Sequence, residues 1–299
     1  MTRVQIEVPH DDPMPRVVAV VGLGIVGGSL VRALARLPDR PRVLGASPDL
    51  KDRQGAAREP GLVTFADGAE AVGEADLVVY AAPLTVVIDL LAAHAKHIRP
   101  DATVTDVAGL KLPVLEAARN AGLGGRFVGS HPMAGAEGAG FEGGRADLFR
   151  AARVWLCSDE PVETARAMRM EEFWRAVGAR PKWIDPEPHD RMMVEVSHLP
   201  QLVSNALALT LEGAGTKEID LGPGGRDMTR LAGSPPRMWA DLLAHTAPDA
   251  ARLLRKVGAK IEELAALLDE GDIEGVSQLM ARTRAWRDGV EEGVRRGGR

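Results

Sequence analysis

Gly22-Leu23-Gly24-Ile25-Val26-Gly27 has the spacing that lets backbone approach a phosphate closely. Gly22 permits a tight turn, Gly24 removes a side chain that would hold a pyrophosphate away, and Gly27 lets a helix pack closely on a strand. The positive end of that helix then faces the anion. Context strengthens the motif: the apolar run Val17 to Val21 precedes it, and helical spacing from Ile25 to Leu37 follows. The run therefore predicts a dinucleotide site built by Gly22, Gly24, Ile25, Val26 and Gly27, with Pro83, where a later strand stops, in the same crevice. The stretch Gly45-Ala46-Ser47-Pro48, after the second strand, bears on which dinucleotide binds. An acid at that place accepts hydrogen bonds from a ribose 2′-hydroxyl, whereas Ser47 with Lys51 and Arg53 behind it can hold a 2′-phosphate. Asp49 argues the other way, so the residues favour NADP and leave NAD open.

A scaffold must position these groups. Arg42 to Ala46, Leu77 to Ala81 and Thr103 to Val107 read as strands, with helical spacing from Leu84 to His97. Strands alternating with helices imply right-handed crossovers and a parallel sheet covered on both faces. Shorter strands at Phe127 to Gly129, Val154 to Cys157 and Pro181 to Ile184 are expected to extend that sheet, with a helix from about Val162 to Val177. After Asp185 no strand candidate remains. His189 to Leu211 is apolar at helical spacing around an internal Pro200, and two amphipathic helices are expected at Pro248 to Leu268 and Asp272 to Val290. The fold class is thus α/β, a Rossmann-type parallel-sheet domain (16–185) followed by an all-helical dimerisation domain (186–299), with a flexible arm at 1–15. Leu202, Val203, Ala206, Leu207, Leu209 and Leu211 make one helix apolar on most of its circumference, as in a bundle or a dimer.

Composition narrows the function classes. The chain has 299 residues, 45% of them hydrophobic, enough to bury a sizeable core. A net charge of −5 with scattered basic residues gives no electrostatic footprint for nucleic acid. Nowhere is there an uncharged run of about 18 residues that could span a bilayer, so a cytoplasmic, membrane-free protein is expected. The single cysteine, Cys157, allows no cysteine-based metal cluster and sits in the apolar run Val154-Trp155-Leu156-Cys157, as a buried structural thiol would.

Further motifs are more particular. Asp106-Val107-Ala108-Gly109-Leu110-Lys111 follows one strand and Gly129-Ser130-His131-Pro132-Met133-Ala134-Gly135-Ala136-Glu137 the next. Ser197-His198-Leu199-Pro200, Gly224-Gly225-Arg226-Asp227-Met228-Thr229-Arg230-Leu231-Ala232 and Met238-Trp239 lie in the helical region. This set, in this order, resembles the prephenate and arogenate dehydrogenases of tyrosine biosynthesis, over roughly residues 16 to 290. The resemblance implies a homodimer and the oxidative decarboxylation of a cyclohexadienyl acid with NAD or NADP. Hydride leaves the ring carbon bearing the 4-hydroxyl, that hydroxyl gives up its proton, and loss of the ring carboxylate leaves a phenol.

By the same resemblance His131 is the catalytic histidine at the substrate hydroxyl, and Arg230 a second catalytic-site residue that binds carboxylate, with Arg226 in the same role. Arg230 also stands beside the apolar Leu231-Ala232, where an unpaired charge would be costly, which favours a bound anion. Ser197 and His198, just before a helix kink expected at Pro200, line the family's substrate pocket. His198 can equally be a satisfied core histidine. Trp239 corresponds to a pocket tryptophan or to core packing, and Glu137 to a group that positions its neighbours or repels a wrong charge.

Three departures stand out. Gly109 occupies a position where the family has a serine that orients the histidine and contacts the nicotinamide. Gln201 replaces a histidine of many prephenate-specific members, and Ala136 a common threonine. The substrate is therefore left among prephenate, arogenate and a modified relative such as 4-amino-4-deoxyprephenate. A non-catalytic binding protein is a further alternative. The β-hydroxyacid dehydrogenases share the architecture, but their helical-domain lysine has no match here.

Overall fold

Val17–Val21 (β1) is continuously apolar because neither of its faces meets water: Val18, Ala19 and Val20 are wholly buried. The computed structural model describes residues 14–136, 138–161 and 164–297. Almost all of the expected N-terminal arm, together with Glu137, lies outside these described residues. β1 pairs with β2 (Arg42–Ala46) on one side and β4 (Leu77–Tyr80) on the other. With β3 (Leu62–Phe65) and β5 (Thr103–Asp106) the sheet runs β3-β2-β1-β4-β5, all pairings parallel. Period-two alternation divides the core. Ala19 and Val21 pack with Val78, Tyr80 and Leu91 on one face, and Val18 and Val20 with Leu30, Val79 and Trp174 on the other.

The crossover helices are α1 (Ile25–Leu34), α2 (Leu50–Ala56), α3 (Gly68–Val72) and α4 (Leu84–His94), and α5 (Leu112–Asn120) follows β5. Strand order reverses beside β1, which puts a ligand crevice at the carboxyl ends of β1 and β4. β3, α2 and α3 were not expected from the sequence. Each is short, and β3 is only half-buried, so hydrophobic patterning barely marks it.

The later strands correct the expectation of one extended sheet. β6 (Gly129–Pro132), β7 (Arg153–Cys157) and β8 (Arg180–Trp183) form a second sheet, β6 antiparallel to β7 and β7 parallel to β8, joined to the first by a single bridge between Val104 and Phe127. A parallel pair needs a long crossover, usually helical. Between β6 and β7 the described residues contain only the 3₁₀ turn Phe141–Gly143, whereas α6 (Ala165–Ala176) carries the chain from β7 to β8.

Beyond Asp185 the described residues are helical: α7 (Pro186–Met193), a π-helical turn (Val194–His198), α8 (Leu199–Gly213), α9 (Pro223–Thr229), α10 (Pro236–Asp269) and α11 (Ile273–Gly297), with short 3₁₀ turns between. Pro200 does not kink a helix interior. It lies in the first turn of α8, immediately after the π-helical turn Val194–His198 that continues the helix from α7, and that wider turn is where its missing N–H falls. α10 likewise starts at Pro236, and Pro248, expected to begin a helix, lies inside it. The chain divides into two compact units: one runs to Met193 and includes Pro236–His245, the other holds Val194–Pro235 and continues from Thr246. α7 stays with the first unit, beyond the expected boundary at 185, because Asp190 and Met193 are bonded and packed there. No helix among the described residues is long and apolar enough to cross a membrane.

Candidate active site

At the turn after β1, Gly22 has φ +103°, and a Cβ there would lie 2.2 Å from the carbonyl oxygen of Ala81. A Cβ on Gly27 would lie 1.9 Å from Gly22 O, so both positions exclude a side chain. Gly24 differs: a Cβ would meet nothing within 4 Å. It is the N-cap of α1 and offers no capping side chain, and Ile25 and Val26 follow it at the start of the helix. The open face at Gly24 and the positive helix end fit a pyrophosphate. Pro83 is the exposed N-cap of α4, just past β4.

At the end of β2, Ser47 is buried, and Arg53 Nη1 donates to the carbonyls of Ser47 (2.6 Å) and Pro48 (2.9 Å). Asp49 is turned to the start of α2, where its carboxylate accepts from Lys51 N at 2.7 Å and caps the helix. Lys51 is exposed. The residues at both ends of this crevice therefore fit a nicotinamide dinucleotide.

The neighbouring catalytic candidate is held by buried charge. Asp106 and Lys111 have no exposed side-chain surface, and Lys111 Nζ forms a close ion pair with Asp106 and donates to Ser130 O at 2.7 Å. Asp106 also accepts from the N–H groups of Ala108 (2.8 Å) and Ser130 (3.2 Å). Burial pushes its carboxyl group up from the usual range, against the pull of Lys111 and those two donors. Trp174 Nε1 donates to Ser130 Oγ at 3.0 Å. These bonds fix the start of β6 and, with it, His131, which stands opposite Trp155 in the register.

His131 Nδ1 lies 3.0 Å from Nε2 of His189, a wholly buried residue of α7. His189 Nδ1 lies 2.7 Å from Asp190 Oδ1, and Asp190 accepts from the backbone N–H groups of Lys111 (2.7 Å) and Leu112 (2.9 Å). On the other side of the imidazole, a Cβ on Gly109 would lie 3.9 Å from His131 Nε2 and 3.4 Å from Leu242 Cδ2. The first unit thus brings together His131, Gly109 and Leu242, and it holds the part-buried Trp239 on the same stretch of α10 as Leu242. His189 and Asp190 were missed by the sequence reading, which took His189 only as the start of an apolar helix. A histidine next to an acid was the available signal.

In the second unit Ser197 lies half-buried on the π-helical turn, and His198 is buried with Nδ1 3.0 Å from Thr246 Oγ1, the arrangement of a satisfied core histidine. Gln201 is 2% exposed. Its Nε2 donates to Leu231 O (2.7 Å) and Asn205 Oδ1 (3.0 Å), and its Oε1 has no hydrogen-bond partner among the described residues. Because a carbonyl can only accept, the bond to Leu231 fixes the amide orientation. Arg230 opens the 3₁₀ turn Arg230–Gly233 and is exposed. This corrects the desolvation argument made for it from Leu231 and Ala232, since a water-facing guanidinium needs no partner ion. Arg226 is also exposed, its Nε donating to Leu221 O at 2.9 Å. Cys157 is buried, and burial raises its thiol to about 12, as an unreactive structural residue requires. The described residues contain no cluster of three or more histidine, cysteine or acidic side chains able to hold a metal ion.

Comparison with known proteins extends this geometry over nearly the whole chain. Residues 31–182 match the family model described as prephenate dehydrogenase, nucleotide-binding domain, and 185–282 the one described as prephenate dehydrogenase, dimerization domain. A cyclohexadienyl dehydrogenase of Zymomonas mobilis is 30% identical over 85% of this chain and 89% of its own. A prephenate dehydrogenase of Bacillus subtilis is 27% identical over 93% and 76%. The crystal structure of prephenate dehydrogenase from Aquifex aeolicus, in complex with hydroxyphenyl propionate and NAD+, superposes with a TM-score of 0.83 at 26% identity, covering 92% of this chain and 98% of that one. An open glycine turn at Gly24, a histidine fixed at β6 and two family models covering residues 31–182 and 185–282 lead to one assignment: the chain belongs to the prephenate dehydrogenase family.

Proposed function

We propose that the protein catalyses the oxidative decarboxylation of a 4-hydroxycyclohexadienyl acid, as a step of tyrosine biosynthesis. The observation that carries this reading is His131, clamped through Nδ1 and the β6 backbone, with Nε2 on the side of Gly109. Nicotinamide, when bound, supplies the hydride acceptor. His131 takes the proton of the substrate 4-hydroxyl at Nε2, which favours the developing carbonyl as the C4–H pair departs. The bond from C1 to the ring carboxylate then breaks, carbon dioxide leaves, its electron pair closes the aromatic ring, and His131 returns the proton to the phenol oxygen. Proton assistance of this kind contributes about 100- to 10,000-fold.

Arg230 and Arg226 are the guanidinium groups for the substrate carboxylates. Ser197, Trp239 and Glu137 complete the substrate-binding set, and His198, bonded to Thr246, supports it as a core histidine. Gln201 reads the substrate side chain through Oε1, an acceptor suited to an ammonium and not to a keto oxygen, which favours arogenate over prephenate. NADP is favoured over NAD, because the Arg53 guanidinium reaches from α2 to the carbonyls just past β2 and Asp49 is occupied in capping α2. The exposed Leu209, Ile261, Leu268, Met280 and Trp286 supply apolar surface for a homodimer.

The test is a matrix of prephenate, arogenate and 4-amino-4-deoxyprephenate against NAD and NADP, following reduced nicotinamide and carbon dioxide together. Stoichiometric appearance of both, with NADP and arogenate giving the highest kcat/KM, is the expected result. No reduced nicotinamide with any of the three acids would exclude the reaction.

A further inference from the structure

We propose that His189 and Asp190 are positioning residues for His131: they lock its tautomer so that Nε2 is the basic nitrogen. This rests on the reading that His131 takes the substrate proton. The direction of each bond follows from donor and acceptor capacity. A carboxylate only accepts, so at 2.7 Å His189 Nδ1 must donate to Asp190. A neutral imidazole protonated at Nδ1 carries its lone pair on Nε2, so His189 Nε2 accepts across the 3.0 Å contact, and His131 Nδ1 must donate. The lone pair of His131 is thereby placed on Nε2, the atom on the Gly109 side.

The support is rigid. His189 is wholly buried, and Asp190 is pinned by the N–H groups of Lys111 and Leu112 at the start of α5. Among the described residues, the titratable groups around the pair include His131 on β6, Cys157 on β7, the Asp106–Lys111 ion pair on the β5–α5 connection, and Asp185 just before α7. When Nε2 takes up the substrate proton, the new imidazolium keeps its Nδ1–H bond to His189 and lies one ring away from the Asp190 carboxylate. A glycine at 109 has no hydroxyl with which to orient the imidazole, and the contact with His189 holds it through Nδ1.

Two measurements test this on the full-length protein. Long-range ¹H–¹⁵N spectra of histidine-labelled protein at pH 8 should show His131 protonated on Nδ1 and bare on Nε2. A His131 protonated on Nε2 overturns the proposal whatever the activity. In steady state, His189→Leu should lower kcat about 10- to 100-fold with KM little changed, and move the acid limb of the kcat profile to lower pH, because the His131 imidazolium loses its support. His189→Gln keeps an acceptor facing Nδ1 and should recover part of the loss. Unchanged kcat in His189→Leu, or a loss without movement of the pH limb or the tautomer, would reduce the pair to a structural role. If the protein oxidised no cyclohexadienyl acid, the reaction assignment would fail, while the spectra would still decide the tautomer.

Discussion

Replacing Lys111 by Met leaves Asp106 buried without its counter-ion. The ammonium is lost from two contacts, the ion pair and the 2.7 Å bond to Ser130 O, and Asp106 keeps only the N–H groups of Ala108 and Ser130. Removing one partner of a buried pair costs about 3–5 kcal/mol, since the remaining charge cannot be hydrated. At roughly 2–4 °C per kcal/mol for a domain of 150–250 residues, the melting temperature should fall by about 6–20 °C. Asp106→Asn combined with Lys111→Met removes both charges and should restore much of the loss. The pH dependence carries a definite sign. Burial already raises the folded-state pKa of Asp106 above its unfolded value, and loss of Lys111 raises it further. A carboxyl raised in this way binds its proton more tightly in the folded state, so the single variant should regain stability relative to the native protein as pH falls from 7 towards 5. Urea unfolding followed by tryptophan fluorescence measures both effects. A cost below about 1 kcal/mol, or no relief on acidification, would refute the claim that the ion pair holds the β5–β6 region.

Other outcomes follow from neighbouring contacts. Arg53→Ala should raise KM for NADP by at least about tenfold and KM for NAD much less, because of the two cofactors only NADP brings a 2′-phosphate to the guanidinium; steady-state titration of both cofactors decides it. Gly109→Ser should fold normally, since a Cβ there makes ordinary contacts at 3.4 Å and 3.9 Å, and kcat should change by less than about tenfold because the imidazole is already oriented through Nδ1. A larger gain would assign the positioning to the hydroxyl. His94 is buried with Tyr80 OH 3.2 Å from its Nδ1, and burial lowers its pKa below 6.5. The unfolded chain then binds the extra proton first, so stability should decline as pH falls below about 6.5, and His94→Gln should flatten that decline in melting curves.

The parts of the fold visible in the sequence were those whose cause is local. Gly27 is required by the carbonyl oxygen of Gly22 in the same turn and Gly22 by its own φ of +103°, so their spacing carries the motif by itself, even though the Ala81 carbonyl from β4 adds a distant reason at Gly22. Val154 to Cys157 shows that a strand exists but not which strand pairs with it, and the second sheet was missed because pairing depends on distant residues. Pro200 was read as a kink, and it stands in the first turn of α8 directly after a π-helical turn, whereas Pro248, read as the start of a helix, lies inside α10. His131 and Gly109 were found by resemblance. His189 was not, because its burial and its bond to His131 are created by a contact across 58 positions of sequence. Arg230 shows the converse: apolar sequence neighbours did not bury it.

The central claim, that His131 Nε2 moves the substrate proton, is tested most directly by His131→Asn, measuring kcat alongside calorimetric binding of the phenolic product. The account predicts a loss of turnover of about 100-fold or more, with product affinity changed by only a few fold. Turnover equal to that of the native protein, with the same affinity, would contradict it.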